Sequence, residues 1–263
     1  ALGDPAKAVV LLRRFEREAR ATAALRSPHT VALYDFGASE DGRFYYVMEL
    51  LDGLSLEDLV RRFGPQPRGR VAFLLAQACR SLAEAHENGL IHRDIKPTNL
   101  FACRLGIERD FLKILDFGLV KVENQAGLTQ EGVTTGTPAY MAPEIAAGRA
   151  AVDRRADLYS LGCVGYWLLT GRLLFERDSA MATLLAHLQE APAPGLAAAP
   201  GSLEGVLLSC LEKDPARRPQ SALDLAGALA TCDAAGAWTE EDARRWWREK
   251  VPATESLEVT QTA

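Results

Sequence analysis

An α+β fold in two lobes is predicted by the order in which hydrophobic periodicities occur along the chain. A helical period comes first, two strand-like runs joined by a turn follow, and nearly everything beyond Ala156 has helical spacing. Strands and helices are segregated and do not alternate, which excludes a parallel βαβ sheet. No internal repeat interrupts the pattern.

Residues 6–25 read as a helix, because Val9, Leu12, Phe15, Ala19 and Leu25 recur at helical spacing with Arg and Glu between them. Ser27-Pro28 stops it. The runs Thr30–Phe36 and Phe44–Leu50, joined by Ser39-Glu40-Asp41-Gly42, read as a hairpin. Asp52-Gly53 reads as a turn, and Ser55 with Asp58 as the capped start of a short helix ending near Phe63. Gly64–Pro67 is a loop. A long amphipathic helix carries Val71, Leu74, Leu75, Ala78, Leu82 and Ala85 and ends at Asn88-Gly89. Short strands are expected around Leu100–Cys103 and Phe111–Leu115. The helices after Ala156 are broken near 171, 192–201 and 214–219 by Pro and Gly. Thr239 to Asp242 caps a last helix bearing Trp246 and Trp247, expected to pack on the helical lobe, and the polar stretch 251–263 reads as a loose tail.

With 263 residues, 48% hydrophobic and 25% charged, the chain can bury a core without disulfides or metals. A net charge of -5 gives no sign of nucleic-acid binding. The five cysteines have no C-x-x-C pair, so they read as reduced, mostly buried thiols of a cytoplasmic protein. The longest uncharged apolar stretch, Leu158 to Thr170, is too short for a membrane span of about 20 residues. His29, His86 and His187 lack ligand spacing and read as structural. Arg61, Arg62, Arg68 and Arg70 read as a basic, solvated surface patch.

The chemistry concentrates in His92-Arg93-Asp94-Ile95-Lys96-Pro97-Thr98-Asn99. Pro97 prevents these residues from sharing one helix face, but on a loop Asp94, Lys96 and Asn99 can converge. Phosphoryl transfer needs such a set: a carboxylate to orient a hydroxyl, a cation for the phosphate and an amide oxygen for a metal. Asp116-Phe117-Gly118 follows 17 residues after Asn99, and Asp116 supplies a second oxygen ligand suited to Mg²⁺ beside phosphates. Gly136-Thr137-Pro138-Ala139-Tyr140-Met141-Ala142-Pro143-Glu144 closes the segment that Asp116 opens.

These segments, with Asp157-Leu158-Tyr159-Ser160-Leu161-Gly162 and Lys213-Asp214-Pro215-Ala216-Arg217-Arg218-Pro219, resemble the eukaryotic-like (Hanks-type) protein Ser/Thr kinases, especially the bacterial ones, over roughly residues 8 to 231. The resemblance implies a protein-kinase-like two-lobed fold. It divides the chain into a partial N-lobe (1–50, hinge near 48–52), a complete helical C-lobe (51–232), an extra helix (233–250) and a tail (251–263). It implies ATP and Mg²⁺ as cofactors and protein Ser/Thr hydroxyls as substrates. Asp94 matches the catalytic base, Lys96 the residue steadying the transferred phosphate, and Asn99 and Asp116 the metal ligands. Met48 matches the gatekeeper. Backbone groups of Glu49 and Leu51 would meet adenine, with Phe101 packing beneath it. Glu18 matches the αC glutamate. Thr137, Glu144, Asp157 and Arg218 match scaffold positions, with Glu144 paired to Arg218 and Asp157 holding the His92-Arg93-Asp94 loop. Arg93 implies activation by phosphorylation at Thr129, Thr134 or Thr135.

One part of the family pattern is not matched. The Gly-rich loop over the phosphates and the strand Lys that pairs with the αC glutamate have no counterpart, since only Gly3 and Lys7 precede Glu18. Together with the start at Ala1, this is expected to mark a kinase fragment lacking the first strands of its N-lobe. The alternative is a catalytically impaired, pseudokinase-like module that binds proteins. The intact polar set at 94, 96, 99 and 116 favours the fragment.

Overall fold

Helix α2 (Arg68–Glu87) is the axis around which the larger lobe is built; one face of it carries the fully buried Val71, Leu74, Ala78, Leu82 and Ala85. The computed structural model describes residues 16, 19–39, 44–117, 137–149, 151–192 and 199–251. Within these residues the small lobe consists of helical residues 19–23 and an antiparallel pair, β1 (Leu33–Ala38) and β2 (Phe44–Met48), paired from Leu33↔Met48 to Ala38↔Phe44 with a register shift between Leu33 and Asp35. The expected hairpin is therefore present, though its tip at 40–43 lies outside the described residues. Its first strand begins three residues later than expected, at Leu33. Residues 29–31 instead pair in parallel with the strand that leads to Asp116: Val31 N donates to the Ile114 carbonyl (2.9 Å) and Ile114 N to the His29 carbonyl (2.8 Å).

A second sheet has the order β3-β4-β5, with β3 (Gly53–Ser55), β4 (Leu100–Leu105) and β5 (Glu108–Ile114). The turn expected at Asp52-Gly53 is corrected here, because Gly53 is the first residue of a strand. A Cβ at Gly53 would lie 2.4 Å from the Ala102 carbonyl oxygen, so the glycine serves close strand approach. Ser55 ends β3 and caps α1 (Leu56–Phe63), accepting from Asp58 N at 3.0 Å.

The remaining helices are α3 (Pro143–Ala146), α4 (Arg155–Thr170), α5 (Ala180–Gln189), α6 (Leu203–Cys210), α7 (Ala222–Thr231) and α8 (Glu240–Lys250). Four start on a side-chain cap, at Ser179, Ser202, Ser221 and Thr239. Helix α4 stops at Gly171, whose φ of 67 suits a residue without a Cβ. Leu158, Leu161, Val164 and Leu168 bury α4 in a core shared with α2, and all five cysteines are buried free thiols. No helix among the described residues is long and apolar enough to cross a membrane.

The expected basic surface patch is wrong at one residue, Arg70, while Arg61, Arg62 and Arg68 are exposed. Arg70 is fully buried and pairs with Asp110, its Nε 2.9 Å from Oδ2 and its Nη2 2.6 Å from Oδ1. Arg68 bridges Glu204 and Asp233. A buried guanidinium requires a carboxylate partner, and that partner comes from β5, 40 residues away in sequence.

Candidate active site

The loop that joins α2 to β4 is held by one carboxylate. Asp157, in the first turn of α4, is fully buried, and its Oδ2 accepts from His92 N and His86 Nε2 (both 2.8 Å). Its Oδ1 accepts from Arg93 N at 2.8 Å. Burial opposes the charge, but these donors and the nearby imidazoles together hold its carboxyl below the usual carboxylate range. Arg93 sits at φ 63, a left-handed conformation disfavoured for a side chain with a Cβ, and the Asp157 bond fixes it there. Next to it, His92 Nε2 donates to the Leu115 carbonyl (2.7 Å) while Nδ1 accepts from Asp94 N (3.2 Å). That pattern specifies a neutral ring, and burial lowers its pKa accordingly. The His92 ring packs on Phe117, centroids 4.8 Å apart, and so ties the loop to the segment carrying Asp116.

Two polar side chains meet at the half-buried Asp94. Lys96 Nζ lies 3.0 Å from its Oδ2, and Asn99 Nδ2 donates to the same oxygen at 3.3 Å and to the Asp94 carbonyl at 3.0 Å. Both Asn99 bonds use its nitrogen, which turns the amide oxygen to the other side. Asp116 follows β5 at φ 59, another left-handed non-glycine residue. Desolvation raises its carboxyl pKa, and the neighbouring Asp94 pushes the same way against His92 and Lys96. Asp94 and Lys96 are thus close enough to Asp116 to influence its charge.

A cleft opens beside Asp94, lined by Arg93, Lys96, Thr137, Tyr140, Met141 and Ile145. Tyr140, which ends the turn Pro138–Tyr140, is anchored there by Ser160 Oγ donating to its carbonyl at 2.8 Å. Below it, Glu144 and Arg218 form a two-pronged buried bridge of 2.7 and 2.8 Å.

β2 runs out at Met48 into residues 49–52. Glu49 N donates to the Ala32 carbonyl at 3.0 Å, and Glu49 Oε1 accepts from Lys113 Nζ at 2.5 Å and from Ala32 N at 2.7 Å. Leu51 is half-buried, and Phe101, half-buried in β4, pairs with Ser55 and Lys113. Glu18, Thr129, Thr134 and Thr135 lie outside the described residues.

Sequence reasoning missed Lys113, which clamps Glu49, and Arg104, which grips Asp52 beside the hinge with three bonds of 2.8 to 3.2 Å. Neither belongs to a local motif. The signal available was a cation within each strand, Arg104 in β4 and Lys113 beside Arg109 in β5, and a cation on a strand of a small sheet is common.

The protein kinase domain family model matches residues 5–227. Serine/threonine-protein kinase pkn3 of Myxococcus xanthus is 40% identical over 218 residues, covering 80% of this chain and 40% of the relative. Serine/threonine-protein kinase pkn2 of the same organism is 42% identical over 86% of this chain and 28% of the relative. PknB of Mycobacterium leprae is 39% identical over 81% of this chain and 34% of the relative. The chain therefore spans less than half the length of these relatives. Among solved structures, Rad53 residues 1–466 in complex with AMP-PNP superimposes with a TM-score of 0.65 at 25% identity, covering 81% of this chain and 53% of that one.

Proposed function

The chain belongs to the protein kinase family, and we infer from that membership and from the cluster around Asp94 that it transfers the ATP γ-phosphate to Ser or Thr hydroxyls of proteins. The observation that carries this reading is the convergence of Lys96 Nζ and Asn99 Nδ2 on Asp94 Oδ2, at 3.0 and 3.3 Å. A carboxylate so restrained can receive and align one hydroxyl, and take up its proton as the oxygen attacks. Lys96 stands beside it to balance charge on the phosphate in transit. Thr137 and the Pro138–Tyr140 turn form the wall against which a substrate peptide would lie.

The donor chemistry fits Mg²⁺. Asn99 has an amide oxygen to offer and Asp116 a carboxylate. Among the described residues no cluster of three or more His, Cys, Asp or Glu could hold an ion unaided. A cation held by two protein oxygens, taking its other ligands from phosphates and water, suits that set, and when bound it would neutralise the charge shared by the β- and γ-phosphates. For the nucleotide, Met48, the Glu49 and Leu51 backbone and Phe101 offer an adenine slot, and the AMP-PNP complex of Rad53 supports that use of the fold. The five buried free thiols support a reducing, cytoplasmic location.

The phosphate side has less support. Only Gly3 and Lys7 precede Glu18, so the 263 residues offer neither a Gly-rich roof nor a strand lysine for Glu18. The second reading is a module of impaired catalysis that binds proteins. Incubation of the chain with ATP and Mg²⁺ separates the two. Incorporation of phosphate that Asp94→Asn reduces by about 10²-fold or more supports the kinase. No incorporation even with a Gly-rich loop and lysine strand joined ahead of residue 1 supports the binding module.

A further inference from the structure

The family match ends at residue 227, yet the chain folds on to residue 251 and sends three indoles back into the matched region. Asp110, fully buried and held at φ 54, accepts from Trp238 Nε1 at 3.0 Å and Trp247 Nε1 at 2.7 Å in addition to both prongs of Arg70. Trp246 stacks on the same guanidinium, 3.8 Å from its carbon to the ring centroid. These contacts seat α8 on the β4–β5 hairpin. From there the extension reaches the hinge through Arg104 of β4. That guanidinium lies 5.5 Å from the Trp247 ring centroid and donates to the Val251 carbonyl at 3.3 Å. It also grips Asp52, the residue next to Leu51, and Arg104 N donates to the Asp52 carbonyl at 2.7 Å.

We propose that residues 238–251 are a brace for the nucleotide hinge, with Trp247 and Arg104 as positioning residues that fix residues 49–53 through Asp52. The proposal rests on the kinase reading only in so far as those residues bind adenine. The stacked and doubly bonded end at Asp110 is fully buried, whereas the Asp52 side chain is exposed and is gripped by the Arg104 fork. An energetic link between the two requires a connector with a fixed orientation, which the guanidinium fork of Arg104 supplies.

The test uses the full chain and three variants: Arg104→Met, Trp247→Phe and, as control, the exposed Arg244→Ala on the same helix. Binding of Mg²⁺·ADP is titrated by calorimetry, and amide exchange is followed over residues 49–53. Both brace variants should weaken nucleotide binding by about fivefold, the lower end of coupling between linked sites. They should also speed exchange in the hinge segment relative to α2, with the control unchanged. Unaltered affinity and hinge exchange in Arg104→Met, whatever the change in melting temperature, would overturn the brace. If the unmutated chain binds no nucleotide, the adenine assignment fails for this chain, and hinge exchange alone decides for or against the brace.

Discussion

At the scale of single residues, Asp157 shows why a buried carboxylate cannot be exchanged for its amide. Three N–H donors point at its two oxygens, from His92, Arg93 and His86. An amide places an NH₂ against at least one of them. Asp157→Asn should lower unfolding free energy by about 1–3 kcal/mol for the orphaned donor, read from urea midpoints, and should abolish any phosphate transfer by freeing the loop that carries Asp94. At His187 burial decides the protonation state. The ring packs against Tyr159, Phe175 and Lys213, and desolvation, reinforced by the Lys213 charge, lowers its pKa from 6.5 to about 4. The unfolded chain takes up a proton first as pH falls. The stability this neutral ring contributes is complete above pH 6.5 and is lost as pH drops towards 4. His187→Gln should flatten that part of the stability curve, and an unchanged slope would show that the ring is solvated. The polar residues at 92–99 and at 116 were legible from sequence because loop chemistry is written in consecutive letters. Arg70 was misread because its partner, Asp110, lies on another element.

At the scale of elements, packing decides what glycines do. Gly165 in α4 has no room for a Cβ, which would lie 2.5 Å from Leu207 Cδ2 and 3.0 Å from Leu75 Cδ1, both in the buried core. Gly227 in α7 has nothing within 4 Å. Alanine is the better helix former by about 1 kcal/mol, so Gly227→Ala should stabilise by somewhat less than that. At Gly165 overpacking of about 1–3 kcal/mol outweighs the propensity gain, and the variant should be destabilised. Opposite shifts in urea midpoint check the pair. The same contrast explains what could be read in advance. Helices α1 and α2 and the β4–β5 pair follow from local periodicity and caps. Strand β3 does not, because three residues form a strand only where β4 offers an edge, and Asp52-Gly53 resembles a turn until that edge is in place.

At the scale of the whole molecule, the loop at 92–99 is tied to the larger lobe by several independent contacts among the described residues. Asp157, the Glu144–Arg218 bridge and the α2–α4 core hold the loop at 92–99 from below. Above it the described residues offer helical residues 19–23, a two-stranded sheet with exposed Tyr34 and Val47, and the brace from α8. The division into lobes was legible from sequence, because strands and helices are segregated along the chain. The brace was not, since only the folded chain brings residue 247 to residue 110. The central claim is that Asp94 directs phosphate to a protein hydroxyl. Its most direct test is transfer of labelled γ-phosphate from ATP, with Mg²⁺, to a Ser/Thr protein substrate. The enzyme is the chain carrying a Gly-rich loop and lysine strand ahead of residue 1, compared with its Asp94→Asn variant. Transfer that depends on Mg²⁺ and falls by about 10²-fold or more in the variant is the predicted result; equal transfer by the two proteins would contradict it.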